Sequence, residues 1–159
     1  MTYQFQSVFN PSATNQNVFQ LTLKETIIAG LKGYDGSVFC YGQTGSGKTH
    51  TMYGNENDPG IAVRALEYLF RFIENSKAQH KVTLSFFEIY NEAINDLLDI
   101  NKKNLKFIEI AKGVVNIKEL TQCTCETFND ATRVLRIGDS NKHMGISKIN
   151  DKSSRSHTM

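Results

Sequence analysis

The sequence predicts an α/β layered domain, on three observations. Apolar residues recur at helical spacing in three stretches, and short apolar runs bounded by turn residues lie between them. A glycine-rich loop also joins one of those runs directly to a further helical start. The 159 residues are expected to form one domain.

The elements follow in order. Thr14 opens a helix in which Phe19, Leu23, Ile27 and Leu31 recur every fourth residue, and Gly33 ends it. Asp35-Gly36 is expected to turn the chain into Ser37–Tyr41, an apolar run with the pattern of a buried strand. The glycine-rich loop comes next. Asn55–Gly60 is polar loop, and Ile61, Ala65, Leu66, Leu69, Phe70 and Ile73 mark a second helix. Lys81–Tyr90 reads as one strand with a bulge, placing Val82, Leu84 and Phe86 on one face and Phe87 and Ile89 on the other. Ile94, Leu97 and Leu98 suggest a short helix, and Leu105–Cys123 suggests short strands. Thr127 with Asp130 has the form of a capping box, continued by Phe128, Ala131, Leu135 and Gly138. From Asn141 the chain is expected to be irregular.

Composition excludes several classes. The chain is 40% hydrophobic and 21% charged, with a net charge of only +2 and no block of like charge. Neither a nucleic-acid partner nor an anionic-membrane partner is expected from that balance. No apolar stretch approaches the roughly 20 residues that span a bilayer. The start, Met1–Phe5, lacks the basic and apolar regions of a secretory signal. Cys40, Cys123 and Cys125 make an odd count, which fits a reducing compartment, and Cys123-x-Cys125 has no second Cys/His pair at zinc-like spacing. Cys123 and Cys125 are therefore expected in a strand, and the protein in the cytoplasm.

The loop carries the chemistry. Gly42-Gln43-Thr44-Gly45-Ser46-Gly47-Lys48-Thr49 fits G-x-x-x-x-G-K-[ST], a phosphate-binding loop. Its glycines let successive backbone N–H groups point at phosphate oxygens. Lys48 carries a point charge toward the β- and γ-phosphates, Thr49 offers a hydroxyl to Mg²⁺, and the following helix start favours the anion. Hydrolysis further requires a strand-end acid and a γ-phosphate sensor. None of the seven aspartates, Asp35, Asp58, Asp96, Asp99, Asp130, Asp139 and Asp151, has glycine three residues on, so no D-x-x-G is present.

Four motifs in order resemble the kinesin motor domain. They are Gly33–Met52 around the loop, Gly60-Ile-Ala-Val-Arg-Ala-Leu66, Ser85–Leu98 and the run Gly145–Asn150 followed by Ser153-Ser-Arg-Ser-His157. Departures from the family pattern are conservative: Val63 stands for a proline, Ser147 for a threonine and Ile149 for a methionine.

The resemblance implies a P-loop NTPase-like fold with a central mixed sheet and flanking helices. It implies ATP and Mg²⁺ as cofactors, held by Gly42–Thr49, with His50 stacking on the adenine. Asn150, Ser153, Ser154 and Arg155 would act as catalytic γ-phosphate sensors, with Ser154 and Thr49 near the metal and Arg155 pairing with a switch II glutamate. The partner implied is the microtubule, and the location the microtubule cytoskeleton. The family's first strand, its switch II and its main filament-binding helices have no counterpart in the sequence. Residues 1–159 are thus expected to be a partial, truncated motor domain, roughly its middle half. Two functions stay open: the ATP-binding portion of a microtubule motor, or a non-hydrolysing nucleotide-binding remnant acting through protein contacts. Turnover by the chain alone is uncertain: on this reading, 1–159 by itself gives no microtubule-stimulated hydrolysis.

Overall fold

The computed structural model describes residues 2–147 and 156–159, with side chains for 2–142 and 157–159. The chain divides into two compact units, Met1–Ala78 and Gln79–Met159.

In the first unit, helix formation starts where the sequence places it. Thr14 caps α1 (Asn15–Val18), with its hydroxyl accepting from the Asn17 N–H and the Asn17 side chain accepting from the Thr14 N–H. The helix then widens into a π-turn over Phe19–Leu23 and resumes as α2 (Lys24–Leu31). The apolar spacing accounts for the widening. A repeat of four overshoots the ~3.6 residues of an α-turn, so three steps accumulate about one residue. A single π-turn absorbs that residue and keeps Phe19, Leu23 and Ile27 on one side. Gly33, at φ +94°, ends the helix with N–H donation to the Gly30 carbonyl. The turn lies at Lys32–Gly33, and the expected turn at Asp35-Gly36 does not form.

Two further helices follow, α3 (Lys48–Tyr53) and α4 (Ile61–Glu74). The core of this unit gathers Phe19, Leu23 and Ile61, with Ile27, Cys40, Met52, Ala65 and Tyr68 packed against them. The Phe19 and Tyr68 rings meet at 6.2 Å, tilted by 56°.

One expectation for this unit is overturned. Ser37–Tyr41 is not a buried strand: Phe39 is 83% exposed and Tyr41 97%, and only Cys40 of the run reaches the core. A strand exists by pairing with a neighbour, and no ladder among the described residues includes this run.

The second unit is built of antiparallel ladders. β1 (Val82–Leu84) pairs with β6 (Cys123–Cys125), which puts both cysteines in a strand as expected. β2 (Phe87–Tyr90) pairs on one edge with β3 (Ala93–Asp96) and on the other with β7 (Ser156–Thr158). β4 (Phe107–Ala111) and β5 (Val114–Ile117) form a separate hairpin across Lys112-Gly113. These ladders and the helices bear out the α/β class, and within the described residues every strand pair is antiparallel.

Three local readings change here. The bulge expected within Lys81–Tyr90 is a complete break, with β1 and β2 in different sheets. Phe86 stands at the break: it is buried at 3% exposure, and its carbonyl accepts from the Leu97 N–H at 2.8 Å, extending the β2–β3 pairing by one residue. The helix expected around Ile94–Leu98 is the strand β3. Asn91 and Glu92 both take positive φ, 47° and 64°, and return the chain as a two-residue hairpin turn. The buried Asp96 carboxylate then accepts the N–H groups of Leu98, Asp99 and Thr121 at 2.7, 3.1 and 2.8 Å, which stops the strand. The third change concerns the region after Asn141. α5 (Phe128–Ser147) continues through it as helix, and the Asn141 side chain donates to the Leu97 carbonyl at 2.8 Å.

The start of α5 is as read from sequence. The Thr127 hydroxyl accepts from the Asp130 N–H and the Asp130 carboxylate accepts from the Thr127 N–H, at 3.1 and 3.0 Å. Ala131, Val134 and Gly138 face inward, and a Cβ built on Gly138 would stand 1.8 Å from the Phe86 ring.

Candidate functional site: the Gly42–Thr49 loop

The site grows from backbone conformations that glycine makes accessible. Gly45 and Gly47 adopt φ +80° and +91°, the left-handed region, and Gly47 sits immediately before α3. Gly42 meets a different demand: a Cβ there would lie 2.4 Å from the Ser46 hydroxyl oxygen. The loop therefore closes tightly on itself, with the Ser46 N–H donating to the Gln43 carbonyl at 3.2 Å. Gln43, Thr44, Gly45 and Ser46 are exposed, so the loop is open to solvent.

Lys48 is half-buried, and its ammonium donates to the carbonyls of Gly42 and Gln43 at 2.8 and 2.7 Å. A full positive charge thus stands at the rim of the loop, held by the loop's own carbonyls. An anion can use the charge-assisted donors of such a group. Thr49 and His50 follow on α3 and are exposed, leaving the hydroxyl and the imidazole available to solvent. Cys40, just before the loop, is drawn the other way: burial raises its thiol pKa, and the Lys48 charge partly offsets that.

The loop and the first turn of α3 fit a polyphosphate with its divalent cation. The fit rests on the left-handed glycines, the rim ammonium and the free Thr49 hydroxyl. The structure brings together Gly42, Gln43, Thr44, Gly45, Ser46, Gly47, Lys48, Thr49 and His50, the residues singled out for nucleotide binding. Asn150, Ser153, Ser154 and Arg155 lie outside the described residues. Ser156 and His157, from the same motif, enter β7 opposite Tyr90 and Ile89.

One set of residues near the loop was not legible in sequence. Asn15, only 4% exposed, donates its side-chain amide to the His50 carbonyl at 3.1 Å and to the Asp58 carbonyl at 3.2 Å. Its backbone N–H donates to the Asp58 carboxylate at 3.0 Å. Arg64 pairs with that carboxylate at 3.1 Å, donates to the Pro59 carbonyl at 2.8 Å and reaches Gln16. The Asn15 N–H, and then Arg64, hold the Asp58 carboxyl below the usual carboxylate range. A buried asparagine was the only available signal, and burial at position 15 is a tertiary property.

Among the described residues, no group of three or more His, Cys, Asp or Glu side chains is placed to hold a metal, and no helix is long and apolar enough to cross a membrane.

Comparison with known proteins sets this loop in a family. Residues 1–159 match the kinesin motor domain. The chain is 40% identical over 162 aligned positions to kinesin-like protein KIN-7N of Arabidopsis thaliana, covering 99% of this chain and 19% of that relative. It is 38% identical over 160 positions to kinesin-like protein KIF19 of Mus musculus, covering 99% and 16%. A solved structure described as "Structure of a fast kinesin: Implications for ATPase mechanism and interactions with microtubules" superposes with a TM-score of 0.94 at 34% identity. That match covers 98% of this chain and 46% of the solved one. The chain thus spans less than a fifth of the length of these curated relatives and just under half of the solved chain.

Proposed function

The chain belongs to the kinesin motor-domain family, and from that premise we propose that it is the ATP-binding portion of a microtubule motor. Gly42–Thr49 binds the phosphates of Mg²⁺·ATP, and hydrolysis is coupled to movement along the filament. The observation that carries this reading is the placement of the Lys48 ammonium at the rim of a loop turned by Gly45 and Gly47.

Each residue has a stated task. The backbone N–H groups of the Gly42–Thr49 loop that the loop itself does not engage would donate to phosphate oxygens, and Lys48 would neutralise charge at the β- and γ-positions. Thr49 ligates the cation through its hydroxyl, and His50 lies against the base. Asn150, Ser153, Ser154 and Arg155 supply hydroxyl, amide and guanidinium groups that order around a γ-phosphate and relax once it leaves. Ser154 would serve the metal and the attacking water through its hydroxyl. Mg²⁺, which Thr49 and Ser154 would hold, would supply charge neutralisation at the phosphates. Residues 1–159 contribute one part of the motor domain, and the protein works in the cytoplasm on microtubules.

Lys48→Ala removes a charge-assisted contact of about 1.5–3 kcal/mol. ATP affinity measured by calorimetric titration on the full chain is then expected to fall about tenfold or more. Equal affinities in the two proteins would overturn the assignment of the loop. Phosphate release by residues 1–159 is expected to show no stimulation by polymerised tubulin, and clear stimulation would overturn the reading of this chain as one part of the motor domain.

A further inference from the structure

We propose that Asn15, Asp58 and Arg64 act as positioning residues for the base end of the nucleotide site, selecting for a nucleotide over a bare polyphosphate. The inference rests on the reading of Gly42–Thr49 as a nucleotide site.

The geometry divides α3 into two differently supported parts. Its start is fixed from the loop side, where Lys48 is tied to the Gly42 and Gln43 carbonyls. His50 lies two residues further on, and its carbonyl is gripped from outside by the Asn15 side-chain amide at 3.1 Å. Asn15 itself is immobilised. Its amide also bonds the Asp58 carbonyl, and its backbone N–H bonds the Asp58 carboxylate. Arg64 locks that carboxylate from the other side and spans to Pro59 and Gln16.

Three segments distant in sequence therefore support one contact, the Asn15 bond to the His50 carbonyl. They are the start of α1, the 55–60 loop and the first turn of α4. Their common product is the orientation of the backbone that carries the exposed His50 ring. The phosphate-binding N–H groups precede this point and do not depend on it. A loosened clamp thus weakens contacts to the base and spares those to the phosphates. A residue serving stability alone would weaken both equally or neither.

The test compares ATP with inorganic triphosphate by calorimetric titration on the full chain, for the unaltered protein, Asn15→Ala and Asp58→Asn. Losing the Asn15 amide bonds is expected to weaken ATP binding about three- to tenfold, while triphosphate affinity moves less than about twofold. Asp58→Asn keeps the shape and an acceptor for the Asn15 N–H but loses the charge facing Arg64. It should shift ATP in the same direction by less, and it decides the matter if Asn15→Ala does not fold. If both ligands weaken together, or neither does, the clamp is overturned while the nucleotide site stands. If the unaltered protein binds neither ligand, the nucleotide reading falls and the clamp with it.

Discussion

Ser37–Tyr41 and Phe87–Asp96 are both short segments with apolar residues, and they meet opposite fates. The second is paired residue for residue, because Asn91 and Glu92 turn the chain back and supply a partner three residues away, Tyr90 opposite Ala93. The first, Ser-Val-Phe-Cys-Tyr, leads straight into the phosphate loop and pairs with no segment among the described residues; Phe39 and Tyr41 stand in solvent. Apolar character alone does not make a strand. It makes a segment that will be a strand if something presents an edge, and local turns are the cheapest way to present one.

The sharpest way to break this comparison is to truncate one ring in each region of the 159-residue chain. Phe86 adjoins the paired run, is 3% exposed and fills the space against Gly138. Phe86→Ala should cost about 3–5 kcal/mol in chemical denaturation. Phe39→Ala, at a residue 83% exposed, should stay within about 0.5 kcal/mol. If Phe39→Ala costs as much as Phe86→Ala, the Ser37–Tyr41 run is covered in solution and the contrast fails.

A smaller effect tests whether the turn is what distinguishes the paired run. Glu92 holds a φ of 64°, which a side chain opposes. Glu92→Gly should raise stability by about 0.5–1 kcal/mol. A loss would show that the Glu92 side chain, rather than the turn geometry, stabilises the hairpin.

The two units should also share an acid sensitivity, each through one carboxylate. Asp58 is held below the usual carboxylate range first by the Asn15 N–H, and Asp130 first by the Thr127 hydroxyl. A depressed folded-state pKa gives stability that is present above the unfolded value, near 4, and is lost as pH falls through the lower folded value. Denaturation midpoints should therefore drop below about pH 4, and Asp130→Asn should flatten part of that drop. An unchanged profile in the variant would separate Asp130 from the acid response.

Much of the chain was readable because the signals are short-range. The caps at Thr14 and Thr127 are each settled within three residues, and both form. The phosphate loop is eight consecutive residues, of which Gly45 and Gly47 take left-handed conformations. The hairpin at Asn91-Glu92 was equally local but was missed, because asparagine followed by glutamate is a weaker turn signal than asparagine followed by glycine.

By itself, the sequence determined the α/β class, the helix starts, the site loop and, through four ordered motifs, the kinesin family. All are set by neighbours in the chain or by side-chain chemistry that needs no context. Only the tertiary structure decided that β1 and β2 part company at Phe86 and that Asn15 grips the backbone of His50. Those outcomes depend on groups that meet across long separations. Asn15 and Asp58 are 43 residues apart and Asn141 and Leu97 are 44, and a hydrogen bond of that range leaves no periodicity behind in the chain.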